Sequence, residues 1–137
     1  MKIGIMGGTF NPIHNAHLLI AEMAREEYGL DRVIFITDGN PPHKSANVTA
    51  KQRFEMTHIA IADNSAFEED DFEINRSEKS YTVNTLGYLK EKYPNDDLFF
   101  IIGEDSLNDF DKWYKPDKIL EMCSLLVFPR KSLKSLT

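Results

Sequence analysis

The chain has 137 residues, 42% hydrophobic and 28% charged, with a formal net charge of −6 and a single cysteine. That length suits one domain able to bury roughly two-thirds of its unfolded surface. The acidic balance speaks against a nucleic-acid coat, which carries a basic excess. The lone Cys123 excludes an internal disulfide framework and suits a reducing cytoplasm, and no apolar run approaches the ~20 residues of a membrane span.

The first strand is expected over Lys2–Met6, so close to Met1 that no secretory leader is visible. It runs into Gly7-Gly8-Thr9-Phe10-Asn11-Pro12-Ile13-His14-Asn15-Ala16-His17, the most informative stretch of the chain. Glycines let an anion approach the backbone. A helix N-terminus behind them offers unpaired N–H groups and a positive dipole end. His14 and His17, one turn apart, add two side-chain donors on nearly the same face. A bare His-x-x-His pair also suits packing or a metal. The glycines and the preceding strand turn the reading toward a triphosphate.

The helix that follows is expected over Asn15–Tyr28, with Gly29 as its stop. A second strand over Arg32–Thr37 leads into Asp38–Ser45, which carries Pro41-Pro42-His43-Lys44. Thr49 and Gln52 have the spacing of a capping box, opening a helix through about Ala62. A weaker strand is expected over Phe67–Ile74, and its acidic run Glu68-Glu69-Asp70-Asp71 reads as a solvated turn or edge. Thr82 is a candidate cap for a helix carrying Leu86, Leu89 and Tyr93 and ending at Pro94. Two further strands are expected over Leu98–Gly103 and Ser124–Pro129, separated by a helix over Asp117–Met122 with Pro116 in its first turn. Cys123 reads as a small buried residue before the last strand.

The principal strand runs are continuous, as when both sheet faces are covered. Strand and helix alternate, which means an α/β fold. A Rossmann-like, doubly wound, mostly parallel sheet of about five strands is expected, with helices on both faces. Ligands then bind beyond the carboxyl ends of the strands. Gly7–His17, Asp38–Ser45, Asn75–Thr82, Gly103–Tyr114 and Arg130 occupy those places. No Gly-x-x-x-x-Gly-Lys-Ser/Thr loop and no Gly-x-Gly-x-x-Gly occurs, so neither a P-loop enzyme nor a hydride-transfer enzyme is indicated.

Gly8-Thr9-Phe10-Asn11-Pro12-Ile13-His14-x-x-His17 resembles the signature of the nucleotidyltransferase superfamily, usually Gly-Thr-Phe-Asp-Pro-x-His-x-Gly-His. Asn11 stands where Asp is usual and Ala16 where Gly is usual. Pro41-Pro42-His43-Lys44, Arg76-x-x-x-Ser80-Tyr81-Thr82-x-x-Thr85-Leu86, Gly103-x-Asp105-Ser106 and Trp113-Tyr114 follow in order. Together they resemble bacterial nicotinate-mononucleotide adenylyltransferase over residues 2 to about 130.

The resemblance implies attack by the phosphate of nicotinate mononucleotide on the α-phosphorus of ATP. The nucleophile is already an anion, so in-line positioning and charge stabilisation suffice. Mg²⁺ is expected mainly through substrate phosphates. By the resemblance His14 and His17 contact the ATP phosphates, in either protonation state. Gly8, Thr9 and Phe10 line the adenosine-phosphate path through their backbone. Lys44 is a phosphate cation, or else a solvated loop lysine. Gly103 and Asp105 form the adenosine-side loop, with Asp105 available to ribose hydroxyls, and Arg130 is a remaining ATP contact. Trp113 stacks on the nicotinate ring, or else packs in the core. Thr85 and the backbone N–H of Tyr114 hold the nicotinate carboxylate, while Arg76 and Tyr81 shape that loop or reach the mononucleotide.

The family's second phosphate motif, Ile-Ser-Ser/Thr-Thr-x-Ile-Arg, does not occur before Thr137, so the single domain 1–137 is expected to be incomplete at its C-terminus. Two alternatives stay open: a nucleotide-binding module without turnover, and a pantetheine-phosphate adenylyltransferase. No nucleic acid or membrane is expected as a partner, and a homo-oligomer is left open.

Overall fold

The computed structural model describes residues 1–8, 10, 13–39, 49–75 and 81–128. Five strands, β1 (Lys2–Gly8), β2 (Arg32–Thr37), β3 (Phe67–Asp70), β4 (Asp97–Gly103) and β5 (Ser124–Phe128), form one sheet in the order β3-β2-β1-β4-β5. Every pairing is parallel. The helices between them are α1 (Asn15–Tyr28), α2 (Ala50–Ile61), α3 (Thr82–Lys92), α4 (Glu104–Asn108) and α5 (Pro116–Met122), with a 3-10 turn over Phe110–Lys112.

Alternation along the buried strands divides the core into two. Val33 and Phe35 join Ala21 and Ala24 of α1 and Ile61 of α2 on one face. Ile34 and Ile36 join Leu86 and Leu89 of α3 and Ile119 of α5 on the other. Shifting β2 by one residue would exchange these sets, so its register with β1 is set from both sides. In that register Gly8 lies opposite Thr37, which brings the carboxyl ends of the two strands level.

Local signals operate as expected at two helix ends. Gln52 N–H donates to Thr49 Oγ1 at 3.1 Å and Thr49 N–H donates to Gln52 Oε1 at 2.9 Å, closing the capping box of α2. Chain reversal after α1 uses Gly29 at φ 64°, a left-handed conformation that glycine adopts without a Cβ penalty. At α3 the cap is Tyr81, and Thr82 is the first helical residue.

The weak strand is shorter than expected, ending at Asp70 because the chain turns there and Asn75 N–H donates back to Asp71 O at 3.2 Å. Its acidic run lies at the sheet edge but is not solvated throughout. Arg32 Nη1 meets Glu68 Oε2 at 2.8 Å, and His58 Nδ1 lies 2.5 Å from Glu69 Oε1. Asp70, its side chain only 4% exposed, accepts from Lys92 Nζ at 3.0 Å, Tyr88 O–H at 3.0 Å and Phe72 N–H at 2.9 Å. The network ties β3 to α3 across the start of the following turn. Cys123 is part-buried, its thiol donates to Ile119 O at 3.4 Å, and burial pushes its pKa up to about 11. Among the described residues no helix is long and apolar enough to cross a membrane.

Candidate active site

A cavity of about 440 Å³ opens beyond the carboxyl ends of β1, β2 and β4. β1 is the strand at which chain order reverses, with β2 on one side and β4 on the other. Two neighbouring strands there send their connections in opposite directions, and the parted chains leave a crevice.

The wall on the β1 side is Gly7, Gly8 and His17. His14 caps α1 in an extended conformation, and its backbone N–H donates to Nδ1 of His17 at 3.1 Å. An acceptor at Nδ1 places the ring proton of neutral His17 on Nε2. The His17 ring stands edge-on to Phe10 at 5.2 Å and lies 4.0 Å from the ring of His14. Burial, and secondarily the charge of His14, lowers the His17 pKa from 6.5 to about 4. His17 is thus a neutral Nε2–H donor on the cavity wall.

The opposite wall comes from the chain after β2 and β3 and from α3. Asp38, Glu73, Thr82 and Thr85 supply its polar atoms, with Ile36 and Leu86 beneath. Thr85 is 4% exposed and its hydroxyl donates to Glu73 Oε2 at 2.5 Å. Past β4 the cavity is bounded by Gly103, Ser106 and Trp113. Trp113 leans on Phe110 at 5.0 Å and meets Phe100 edge-on at 6.0 Å, so it is both a cavity wall and part of the packing.

Of the residues singled out in the sequence, Gly8, His17, Thr85, Gly103 and Trp113 line one cavity. Phe10 stands apart: at φ 50° its ring turns into the core, 6.1 Å from Phe35, and is 3% exposed. His14 is exposed beside the cavity rather than on its wall. Asp105 lies in the exposed first turn of α4, one residue before Ser106, which does face the cavity. Tyr81 and Tyr114 contact one another at 4.7 Å between ring centres, joining the start of α3 to the segment after Trp113, and Tyr114 is 49% exposed. Thr9, Lys44, Arg76 and Arg130 lie outside the described residues.

Asp38 and Ser106 fall in loops expected at the ligand but have no role assigned from the sequence, and Glu73 is not singled out there. Asp38 carried one legible signal, its place immediately after a strand. Nothing local marked Glu73, whose position depends on where the turn after β3 settles. Among the described residues the cavity wall holds two carboxylates and no Lys or Arg, and no group of three or more His, Cys, Asp and Glu is arranged to hold a metal.

A family model described as cytidylyltransferase-like matches residues 5–136. The chain is 50% identical over 132 residues to a protein of Citrifermentans bemidjiense named as a nicotinate-nucleotide adenylyltransferase, covering 95% of this chain and 61% of that one. It therefore spans under two-thirds of the length of this curated relative. A solved structure from Vibrio parahaemolyticus, named as a nicotinate-nucleotide adenylyltransferase, superimposes with TM-score 0.78 at 27% identity, covering 98% of this chain and 77% of that one. The nicotinic acid mononucleotide adenylyltransferase of Plasmodium falciparum, with TM-score 0.82 at 23% identity over 98% of this chain and 70% of that one, shares the fold. With its five-stranded parallel sheet, its switch-point cavity and a family match over nearly its whole length, the chain belongs to the cytidylyltransferase-like family.

Proposed function

We propose that this chain carries the adenylyl-transfer site of a nicotinate-nucleotide adenylyltransferase. It joins nicotinate mononucleotide to the adenylyl group of ATP, releasing pyrophosphate. The observation that carries the reading is His17, held as a neutral N–H donor beside Gly7 and Gly8 at the start of α1. The names of relatives about 50% identical over most of the chain support the same reaction.

In the reaction an oxygen of the mononucleotide phosphate forms a bond to the α-phosphorus of ATP. The bond from that phosphorus to the bridging oxygen breaks, and its electron pair leaves with pyrophosphate. No proton need be removed from the nucleophile. His17 Nε2–H donates to a phosphate oxygen as charge builds there, at no desolvation cost for a buried cation. The N-terminal end of α1 adds its dipole, and Gly8 admits the phosphates to the backbone. His14 supports this work by orienting His17 through its N–H and by standing at the mouth.

The Trp113 face suits a flat pyridine ring. A nicotinate carboxylate beside Thr85 accepts the hydrogen bond that the Thr85 hydroxyl now gives to Glu73, and the N–H of Tyr114 is the second donor we assign. On the adenosine side the reading uses Gly103 and, at the exposed edge beside Ser106, Asp105, with the backbone of Thr9 and Phe10 assigned to the phosphate path. Lys44 and Arg130 complete it as phosphate cations, and Tyr81 borders the mononucleotide. Mg²⁺ would be carried as a hydrated ion on the triphosphate, with Asp38 and Glu73 as the wall carboxylates that could receive its waters. When bound it would neutralise phosphate charge. A cytoplasmic setting goes with the low cysteine content, and the acidic net charge suits small nucleotides better than nucleic acid.

The test follows pyrophosphate from the chain with ATP, Mg²⁺ and nicotinate mononucleotide. Release that requires both nucleotides supports the reading. ATP binding without release would mark a nucleotide-binding domain that does not turn over. Release with pantetheine phosphate in place of the mononucleotide would reassign the acceptor.

A further inference from the structure

Arg53 lies on α2, outside the cavity, and is 2% exposed. An arginine is an expensive core residue, since a hydrophobic side chain of similar volume gives equal packing without desolvating a charge. Its Nη1 donates to the backbone carbonyl of Asp38 at 2.6 Å. Asp38 N–H in turn donates to the carbonyl of Gly8 at 2.9 Å. The residue that follows β2 is therefore held from both sides, by Gly8 through its N–H and by a buried guanidinium through its C=O. Its neighbour Gly39 abuts the backbone of Glu73 and Ile74 so closely that a Cβ has no room. Glu73 then reaches Thr85. One continuous line of contacts runs from Arg53 to the wall opposite His17.

We infer that Arg53 is a positioning residue, setting the acceptor wall of the cavity through its hydrogen bond to the Asp38 carbonyl. Burial lowers the Arg53 pKa while the Asp38 charge raises it, and the guanidinium stays protonated at any working pH. A planar fork with fixed donors holds a carbonyl in a set direction, which a lysine ammonium does less well. The carbonyl of Arg53 itself accepts from Thr57 O–H at 3.0 Å, one turn further along α2. The inference rests on the transferase reading for its substrate, and on geometry alone for its mechanics.

Arg53→Met and Arg53→Lys in the full chain test it, by steady-state kinetics and by amide hydrogen exchange. In Arg53→Met the KM for nicotinate mononucleotide should rise at least about tenfold, the weight of one charge-assisted hydrogen bond. The KM for ATP and kcat should stay within about threefold, and Arg53→Lys should recover part of the loss. The amides of Asp38 and Gly39 should exchange at least about tenfold faster while those of β4 keep their protection. Arg53→Lys carries both measurements should the Met variant fail to fold. Unchanged exchange at Asp38 and Gly39 overturns the inference, and so does an equal loss for both nucleotides. A wild-type chain without turnover, but with the exchange change present, refutes the transferase reading and leaves the positioning role standing.

Discussion

The neutral state of His17 makes a measurable demand on pH. The ring is part-buried with its Nδ1 accepting the His14 N–H at 3.1 Å, and its pKa falls from 6.5 to about 4. Protonation would place a second N–H against that donor, breaking the bond and charging a half-buried ring. The unfolded chain binds this proton more readily than the native one between those two values. Stability from this group is therefore fully present above pH 6.5 and is lost as pH falls toward about 4. The gap corresponds to at most about 3 kcal/mol, and solvent contact of the ring reduces it to about 1–2 kcal/mol. Urea unfolding at pH 7 and pH 5 should show roughly half of this loss, about 1 kcal/mol, in the wild type and a smaller one in His17→Gln, whose amide does not titrate. Nitrogen-15 spectra should show the Nε2–H tautomer at pH 7. A His17 titration midpoint between 6 and 7, or the Nδ1–H tautomer, would refute the reasoning.

Three more outcomes follow from the packing. Trp113→Ala should weaken nicotinate mononucleotide at least about tenfold and ATP less than about threefold by calorimetry. Equal losses would make Trp113 a packing residue only. In Gly39→Ala the new methyl meets the backbone of Glu73 and Ile74. Since backbone cannot step aside as a side-chain tip does, unfolding in urea should show a loss of about 2 kcal/mol or more; a variant within about 0.5 kcal/mol of wild type would show that the two loops do not touch. Asp70→Ala strips Lys92, Tyr88 and the Phe72 N–H of one buried acceptor. It should destabilise by about 3 kcal/mol, against less than about 1 kcal/mol for Glu68→Ala, whose partner Arg32 it meets at a more exposed edge. Similar values for the two would refute the claim that burial separates them.

The sequence by itself determined most of the elements and marked the first turn as the place to look for a site. Continuous apolar runs marked β1, β2, β4 and β5 within a residue or two. The Thr49–Gln52 box and Gly29 set helix ends because capping is an exchange of hydrogen bonds between residues three or four apart. Gly8, His17, Thr85, Gly103 and Trp113 stood out as candidates from motifs alone, and all five line one cavity. What tertiary structure decided is which of two neighbours faces inward: His17 over His14, Ser106 over Asp105, Trp113 over Tyr114. Such choices turn on helix phase and on the fit against Phe10, Phe100 and Phe110, contacts that join distant stretches of chain. The opposite wall was hidden for the same reason. Arg53 reaches Asp38, and Gly39 abuts Glu73, only because β2 and β3 lie side by side and α2 crosses back between them. Proton placement on His17 was undecidable until its burial was known, since desolvation is a property of the packed molecule and not of the residue.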